Sequence, residues 1–280
     1  MKTIDGSVIT KEVKRLVMEA NFNLPKDVSD ALKKSQKNEK WILASDTLGM
    51  IIDNANLATS DQVPMCQDTG MVVVFVELGQ EVHLTGGNLS VAINEGIRQG
   101  YDEGFLRKSV VEDPLRRKNS GDNTPGVIHV ELVSGENLKI MVAPKGFGSE
   151  NMSRMAMLKP SQGIQGVKDF IIETVELAGP NACPPMVVGV GIGGTFDFAP
   201  MLAKKALMRS LDEDHKDPYY RDLEEELLET INSLGIGPQG FGGETTALKV
   251  SIMAYPTHIA GLPVAVNINC HATRHKEVVL

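Results

Sequence analysis

The sequence contains few of the residues that mark specialised protein classes. Its 280 residues include only three cysteines and one tryptophan, and aromatic residues make up 5%. The cysteines are 117 and 87 residues apart (183 − 66 and 270 − 183), and this odd, widely spaced set argues against a disulfide framework. No Cys-X-X-Cys pair is present, which excludes zinc ribbons, thioredoxin-type redox sites and ferredoxin-type cluster motifs.

Basic runs and long hydrophobic runs are also missing. The 28 lysines and arginines are outnumbered by 36 acidic residues, so the formal net charge is −8 and nucleic acid is not an expected partner. No apolar run approaches the roughly 20 residues that a membrane helix needs, so no membrane association is expected. The N-terminal residues lack the apolar core of a signal peptide. The expected location is therefore the cytoplasm.

Helical and strand patterns alternate along the chain, which predicts a mixed α/β (α+β) fold. The N-terminal region reads as helical, beginning with an amphipathic helix over residues 7–21. Apolar runs at 71–76 and 186–190 are typical of buried strands, and residues 127–133 and 138–143 predict an antiparallel hairpin. We expect mixed sheets surrounded by helices in one catalytic domain over residues 1–280. No internal repeat is visible.

Each cysteine lies at the end of one of these apolar runs, in a polar loop. Cys66 opens the segment Cys-Gln-Asp-Thr-Gly before one run, Cys183 opens Cys-Pro-Pro before another, and Cys270 follows the run 264–269. Three thiolates without a fourth suggest an iron–sulfur cluster with one iron open to act as a Lewis acid. A zinc site completed by His258 is the metal alternative, which would make the protein a scaffold without catalysis.

Residues 189–194 fit the pattern Gly-X-Gly-X-X-Gly, so a nucleotide-dependent dehydrogenase must be considered. A dinucleotide site needs an acidic residue about 20 positions later, at the end of a second parallel strand. Here that offset falls at residues 211–214, directly after a helical segment and before Pro218. Close packing of backbone against backbone, or binding of an anion by amides, is the favoured explanation of these glycines.

Several motifs in one order resemble the α-type catalytic part of the class I fumarase and tartrate dehydratase family, which are iron–sulfur hydro-lyases. The resemblance covers essentially the whole chain. The matching segments are residues 66–70, 85–87, 145–149, 182–185, 193–195 and 241–243, together with His258 and Cys270.

The resemblance implies a site for a dicarboxylate on a [4Fe–4S] cluster. Cys66, Cys183 and Cys270 would bind the cluster. The side chains and backbone that would contact substrate are Gln67, Asp68, Arg107, Gly148 and His258, and Asp68 and His258 would transfer protons. An insertion precedes Arg107, so Arg116 or Arg117 stays open as its substitute.

The implied activity is reversible hydration of fumarate to malate, with dehydration of L-tartrate to oxaloacetate as the alternative. Single-chain members of the family carry a second, C-terminal domain, whereas this sequence ends ten residues after Cys270 (280 − 270). We therefore expect an α subunit that needs a separate β subunit to complete the active site. The expected assembly is a heterotetramer of two α and two β chains.

Overall fold

The computed structural model describes residues 2–280 and shows a mixed α/β protein with mixed sheets, which confirms the predicted fold class. The helices are α1 (Gly6–Phe22), α2 (Lys26–Asn38), α3 (Ile42–Asp61), α4 (Leu89–Glu103), α5 (Phe147–Glu150), α6 (Gly163–Ala178), α7 (Phe198–Ala206) and α8 (Pro218–Ser233). The strands are β1 (Lys2–Asp5), β2 (Met71–Gly79), β3 (Val82–Thr85), β4 (Val127–Val133), β5 (Leu138–Lys145), β6 (Arg154–Leu158), β7 (Met186–Gly194), β8 (Ala247–Thr257), β9 (Leu262–Asn269) and β10 (Lys276–Val279). Across residues 2–280, no helix is long and apolar enough to cross a membrane.

The chain divides into two compact units. The first contains the residues up to Pro25 together with Asn54–Phe147 and Arg274–Leu280, and the second contains Lys26–Asp53 and Gly148–Thr273. Each unit has its own four-stranded sheet and its own apolar core. Cys66 belongs to the first unit, and Cys183 and Cys270 belong to the second.

The sheet of the first unit has the order β10-β5-β2-β4. Strand β2 is central because residues 72–76 are buried on both faces of the sheet, a burial that only an interior strand provides. Val72, Val74 and Val76 belong to a core that α1 and α4 complete on one face of the sheet. The short strands β1 and β3 pair separately and in parallel.

The predicted hairpin of β4 with β5 is wrong, because β2 lies between these two strands. Strand β4 pairs with β2 in parallel, and β5 pairs with β2 in the antiparallel direction. The connection at residues 134–137 crosses the end of β2, where the amide of Gly79 donates to the Asn137 carbonyl at 2.9 Å. A turn signal between two strand-like segments cannot show whether a third strand enters between them. Here the apolar β2 occupies that position and gains two neighbours.

The sheet of the second unit has the order β6-β9-β7-β8, with β7 at its centre. Helices α6 and α8 cover one face around Val188 and Val190, and α7 packs on the other. A Cβ on Gly191 would lie 2.1 Å from the Ala199 carbonyl oxygen of α7, which no side chain allows. The Gly-X-Gly-X-X-Gly pattern therefore serves close packing of α7 on β7, the explanation favoured from the sequence.

The two units share one strand topology that the sequence does not reveal. In each, a cysteine loop leads into the central strand, the next strand of the same sheet pairs with it in parallel, and the third pairs on the other side in the antiparallel direction. The strands are β2, β4 and β5 in the first unit and β7, β8 and β9 in the second. The carboxyl end of the third strand is thereby brought back beside the loop that opens the first.

Candidate active site

The loop at residues 66–70, called here the Cys66 loop, enters β2 in a constrained conformation. Gly70 has φ +80°, and a Cβ there would lie 2.7 Å from the backbone nitrogen of Lys145, so only glycine fits. This close approach follows from the antiparallel pairing of β2 with β5, which places Met71 opposite Lys145. The Cys66 loop and the Lys-Gly-Phe turn at residues 145–147 thus lie side by side.

Asp68 joins these two segments through its carboxylate. Its Oδ2 accepts a hydrogen bond from the amide of Phe147 at 2.8 Å, and its Oδ1 accepts one from the amide of Gly70 at 3.0 Å. Two amide donors therefore orient the half-buried carboxylate. The backbone of Asp68 is also held in place, because its carbonyl oxygen accepts a hydrogen bond from Nη2 of Arg274 at 2.6 Å.

Cys66 is half-buried, and its sulfur receives a hydrogen bond from the amide of Asp68 at 3.4 Å. The thiol lies 3.5 Å from Oε1 of Gln67, whose side chain is exposed. An amide donor directed at a cysteine sulfur also stabilises that sulfur as a metal-bound thiolate. The loop therefore presents a soft ligand, an amide and an oriented carboxylate within three consecutive residues.

Two buried side chains, Tyr101 and Asn123, bind backbone carbonyl groups of the Cys66 loop. The hydroxyl of Tyr101 lies 2.6 Å from the Thr69 carbonyl oxygen and 2.8 Å from that of Gly70, so its one proton is shared between these two acceptors. Asn123 donates from Nδ2 to the same Gly70 carbonyl at 3.1 Å. Burial raises the pKa of Tyr101 far above its ordinary value, so the hydroxyl keeps its proton and remains a donor.

Of the candidate arginines, Arg107 is the one attached to the Cys66 loop. Its backbone carbonyl accepts from Oγ1 of Thr69 at 2.9 Å, and its side chain is exposed. Arg116 and Arg117 are also exposed but lie in a separate turn, where their amides bond to Asp113. The geometry therefore favours Arg107 over the two substitutes considered from the sequence.

Arg274 also contacts the Cys66 loop, although it is not among the site residues predicted from the sequence. It is 4% exposed, and its guanidinium reaches the backbone of the Cys66 loop at Asp68. A buried cation beside the cysteine loop increases the positive field at that loop. Its position four residues after Cys270 was the available signal, because a polar segment that follows a cysteine ligand is a place to look for further site residues.

In the second unit, the pairing of β7 with β9 brings Cys183 beside the segment that contains Cys270. Val187 pairs with Asn269, and the amide of His271 donates to the Cys183 carbonyl at 3.2 Å. Cys183 has φ +52°, a left-handed conformation that ends a short 3₁₀ turn. Both cysteines are half-buried.

His271 fastens this part of the second unit. Its Nδ1 lies 3.0 Å from the Cys183 carbonyl oxygen and 3.0 Å from Nε2 of Gln239. The same Gln239 nitrogen donates to the Pro184 carbonyl at 2.9 Å. His271 thus orients the backbone around Cys183.

His258 lies away from the two cysteines of its unit. It is exposed in the turn between β8 and β9, where its Nδ1 accepts from the amide of Ala260 at 3.2 Å. Cys270 follows the other end of β9, and eight residues of extended strand span roughly 25 Å. The zinc site completed by His258 is therefore wrong for a single chain. Within residues 2–280, no group of three or more His, Cys, Asp and Glu side chains is arranged to hold a single metal ion.

Comparison with known proteins agrees with this arrangement of motifs. The family model described as fumarate hydratase (Fumerase) matches residues 10–279. The chain belongs to the fumarate hydratase family. This membership confirms the resemblance inferred from the sequence and makes the chain a member of a family of hydro-lyases.

Two relatives within this family match the chain along nearly all of its length. The putative L(+)-tartrate dehydratase subunit alpha of Methanocaldococcus jannaschii is 45% identical over 272 residues, which cover 95% of each chain. The L(+)-tartrate dehydratase subunit alpha of Escherichia coli strain K12 is 32% identical over 269 residues, which cover 95% of this chain and 88% of the relative.

Proposed function

We propose that this chain is the α subunit of an iron–sulfur dehydratase that converts L(+)-tartrate to oxaloacetate and water. The choice of L(+)-tartrate as substrate rests on the names of two near full-length relatives, a putative and an unqualified L(+)-tartrate dehydratase subunit alpha. Fumarate hydration is the second candidate, because the matching family model is described as fumarate hydratase. Both substrates are four-carbon dicarboxylates, so the same residues would serve either reaction.

Cys66, Cys183 and Cys270 would hold a [4Fe–4S] cluster. Three half-buried thiols, one of which accepts an amide hydrogen bond, suit a soft metal centre better than oxygen-ligated magnesium or calcium. When bound, the cluster would supply a Lewis-acidic iron that helps a hydroxyl group leave.

The chain's own residues would bind the substrate and move protons. Arg107 would hold one carboxylate as a two-pronged donor, and Gln67 and the amide of Gly148 would bind other oxygens. Asp68 would transfer a proton on the oxygen side, since its carboxylate is already oriented by the amides of Gly70 and Phe147. Dehydration breaks one C–O bond and the neighbouring C–H bond, and the enol that forms from tartrate becomes oxaloacetate by moving its proton to carbon.

A separate β subunit would complete the site, as the word subunit in the names of the relatives suggests for those proteins. A dicarboxylate has two anionic ends, and Arg107 is the one exposed arginine attached to the Cys66 loop, since Arg274 is buried there with Nη2 bound to the Asp68 carbonyl. We propose an assembly of two α and two β chains in the cytoplasm, with residues 1–280 acting as one catalytic part.

The experiment is an anaerobic assay of the reconstituted α chain mixed with its cognate β chain. L(+)-tartrate, fumarate and malate are compared by kcat/KM, with bound iron and sulfide measured in the same samples. Preferential formation of oxaloacetate from L(+)-tartrate supports the proposal, and preferential hydration of fumarate selects the second candidate. Bound zinc with no turnover of any dicarboxylate would contradict both.

A further inference from the structure

We propose that two copies of this chain associate through the free edge of β4, which pairs antiparallel with β4 of a second copy. In the first unit, β4 has one neighbour, β2, and ends the sheet. Its seven residues include three exposed valine or leucine side chains, at Val127, Val130 and Leu132, with 38%, 51% and 66% of their surface accessible. The contact adds a surface between the two α chains of the proposed assembly, and it would remain whichever dicarboxylate is the substrate.

The outer edge of β4 lacks the lysine, arginine and proline residues that protect the other sheet edges. Lysine, arginine and proline on an edge strand keep other strands away. The other three edge strands of the two four-stranded sheets each contain at least one such residue, namely Arg154 in β6, Lys249 and Pro256 in β8, and Lys276 in β10. Strand β4 contains none of these three residue types, and its one acidic side chain is Glu131. An edge strand with several exposed apolar side chains and little charge is typical of an interface.

The backbone geometry determines which register a second copy would take. The Val133 carbonyl accepts from the amide of Gln80, on the side of β2. Because backbone groups alternate between the two sides of a strand, those of Ile128, Val130 and Leu132 point outward. Antiparallel pairing places outward-pointing residues opposite one another, and the register that uses the whole strand is centred on Val130. It would form about six backbone hydrogen bonds, two for each outward residue of one copy.

In this register the strand is complementary to itself, which is why we assign the edge to a second copy. Val130 faces Val130 of the other copy, Ile128 faces Leu132, and His129 faces Glu131. The last pair occupies a position without mutual backbone hydrogen bonds, where side chains approach most closely. The His129 ring is already fixed at this edge by stacking on Phe75 at a centroid distance of 5.1 Å. A twofold axis through Val130 would create both His–Glu pairs at once.

The test is the mass of the full-length chain, purified alone, by light scattering and sedimentation. We expect about twice the chain mass of 30.3 kDa for the wild type. Val130→Lys and Val130→Glu should each give the mass of one chain, because like charges would face each other across the axis. An equimolar mixture of the two variants should return to the doubled mass. Leu177→Lys on α6, where the side chain is 61% exposed, is the matched control and should stay dimeric.

Amide hydrogen exchange provides a second readout that needs no variant. The amides of Ile128, Val130 and Leu132 should exchange slowly in the wild type and at least tenfold faster in Val130→Lys, whose helical signal should be unchanged. A wild-type chain of single mass, or a dimer that persists in both charged variants, would overturn the proposal. The proposal would also be overturned if the two Val130 variants lost binding to a different partner chain while their self-association was unchanged. The edge would then serve that partner.

Discussion

His258 and Cys270 lie at opposite ends of β9, although only 12 residues separate them in the sequence (270 − 258). The turn that holds His258 is at the amino end of the strand, and Cys270 directly follows its carboxyl end. Extended strand between two residues converts a short sequence separation into a distance of roughly 25 Å. Metal binding and any role of His258 in turnover should therefore be separable.

The first prediction compares variants at these two positions. His258→Asn should keep the iron and sulfide content of the wild type, because its side chain does not reach the cysteines of its own unit. Cys270→Ser should lose the cluster or bind it weakly, since a thiolate ligand is removed. Iron and acid-labile sulfide per chain are measured after anaerobic reconstitution. Cluster loss in His258→Asn, with the fold intact, would contradict the separation, and turnover of that variant tests its predicted proton transfer.

A second prediction concerns Tyr101. Tyr101→Phe removes the hydroxyl whose proton is shared by the Thr69 and Gly70 carbonyl oxygens. These buried acceptors then lose a hydrogen-bond donor. The free energy of unfolding should fall by about 1–3 kcal/mol. Tyr219→Phe is the control, because Tyr219 is 60% exposed, and it should change stability by less than about 0.5 kcal/mol. Urea unfolding of the cluster-free chains measures both.

The same pair of proteins should differ at alkaline pH. Burial raises the pKa of Tyr101 in the folded state, so above about pH 10 the unfolded chain releases this proton while the folded chain keeps it. Stability then falls as pH rises, by at most about 1.4 kcal/mol per pH unit from this group. The stability of Tyr101→Phe should fall less steeply than that of the wild type over this range. Equal slopes would show that Tyr101 is not protected from ionisation.

Much of the local structure was predictable because it depends on local signals. Amphipathic periodicity predicted the helix over residues 7–21, and Ile9, Val13 and Leu16 on the apolar face of α1 are buried. The apolar runs after Cys66 and before Cys270 are buried strands. The placement of β2 between β4 and β5 was not predictable, because strand order depends on how the strands of the whole sheet compete for its buried interior positions.

The site shows the same division. The Cys66 loop and the Lys-Gly-Phe turn were both identified from their residues, but their contact through Asp68 and Phe147 follows from a strand register that no short motif encodes. Arg274 was missed for a related reason. Its importance comes from burial against the Asp68 carbonyl, and an arginine in a polar C-terminal segment gives no sign of burial in the sequence.

A third prediction tests Asp68 as a proton-transfer residue. Asp68→Asn should lower kcat by about 10²- to 10⁴-fold, the usual contribution of a positioned acid or base. It should also remove one limb of the pH–rate profile, which a purely structural change would not do. Asp68→Glu keeps a carboxylate and should retain the limb with a smaller loss of kcat. An Asp68→Asn enzyme with the wild-type pH profile would assign Asp68 a structural role alone.

A fourth prediction distinguishes the candidate arginines. Arg107→Lys replaces the two-pronged donor by a point charge beside the Cys66 loop and should raise KM for the dicarboxylate by about tenfold or more. Arg116→Lys and Arg117→Lys lie in a separate turn and should change KM by less than about twofold. Steady-state measurement of KM for the three variants shows which arginine binds the substrate carboxylate. A larger effect at Arg116 or Arg117 would transfer the carboxylate-binding role to that turn.

The most direct test of the whole account is the rate at which the anaerobically reconstituted α chain, mixed with its cognate β chain, forms oxaloacetate from L(+)-tartrate. We expect a rate that rises in proportion to bound iron and sulfide, falls to background in Cys66→Ser, and is close to zero for the α chain alone. Turnover that is independent of iron and sulfide, or equally fast in Cys66→Ser, would contradict a catalytic cluster held by the three cysteines.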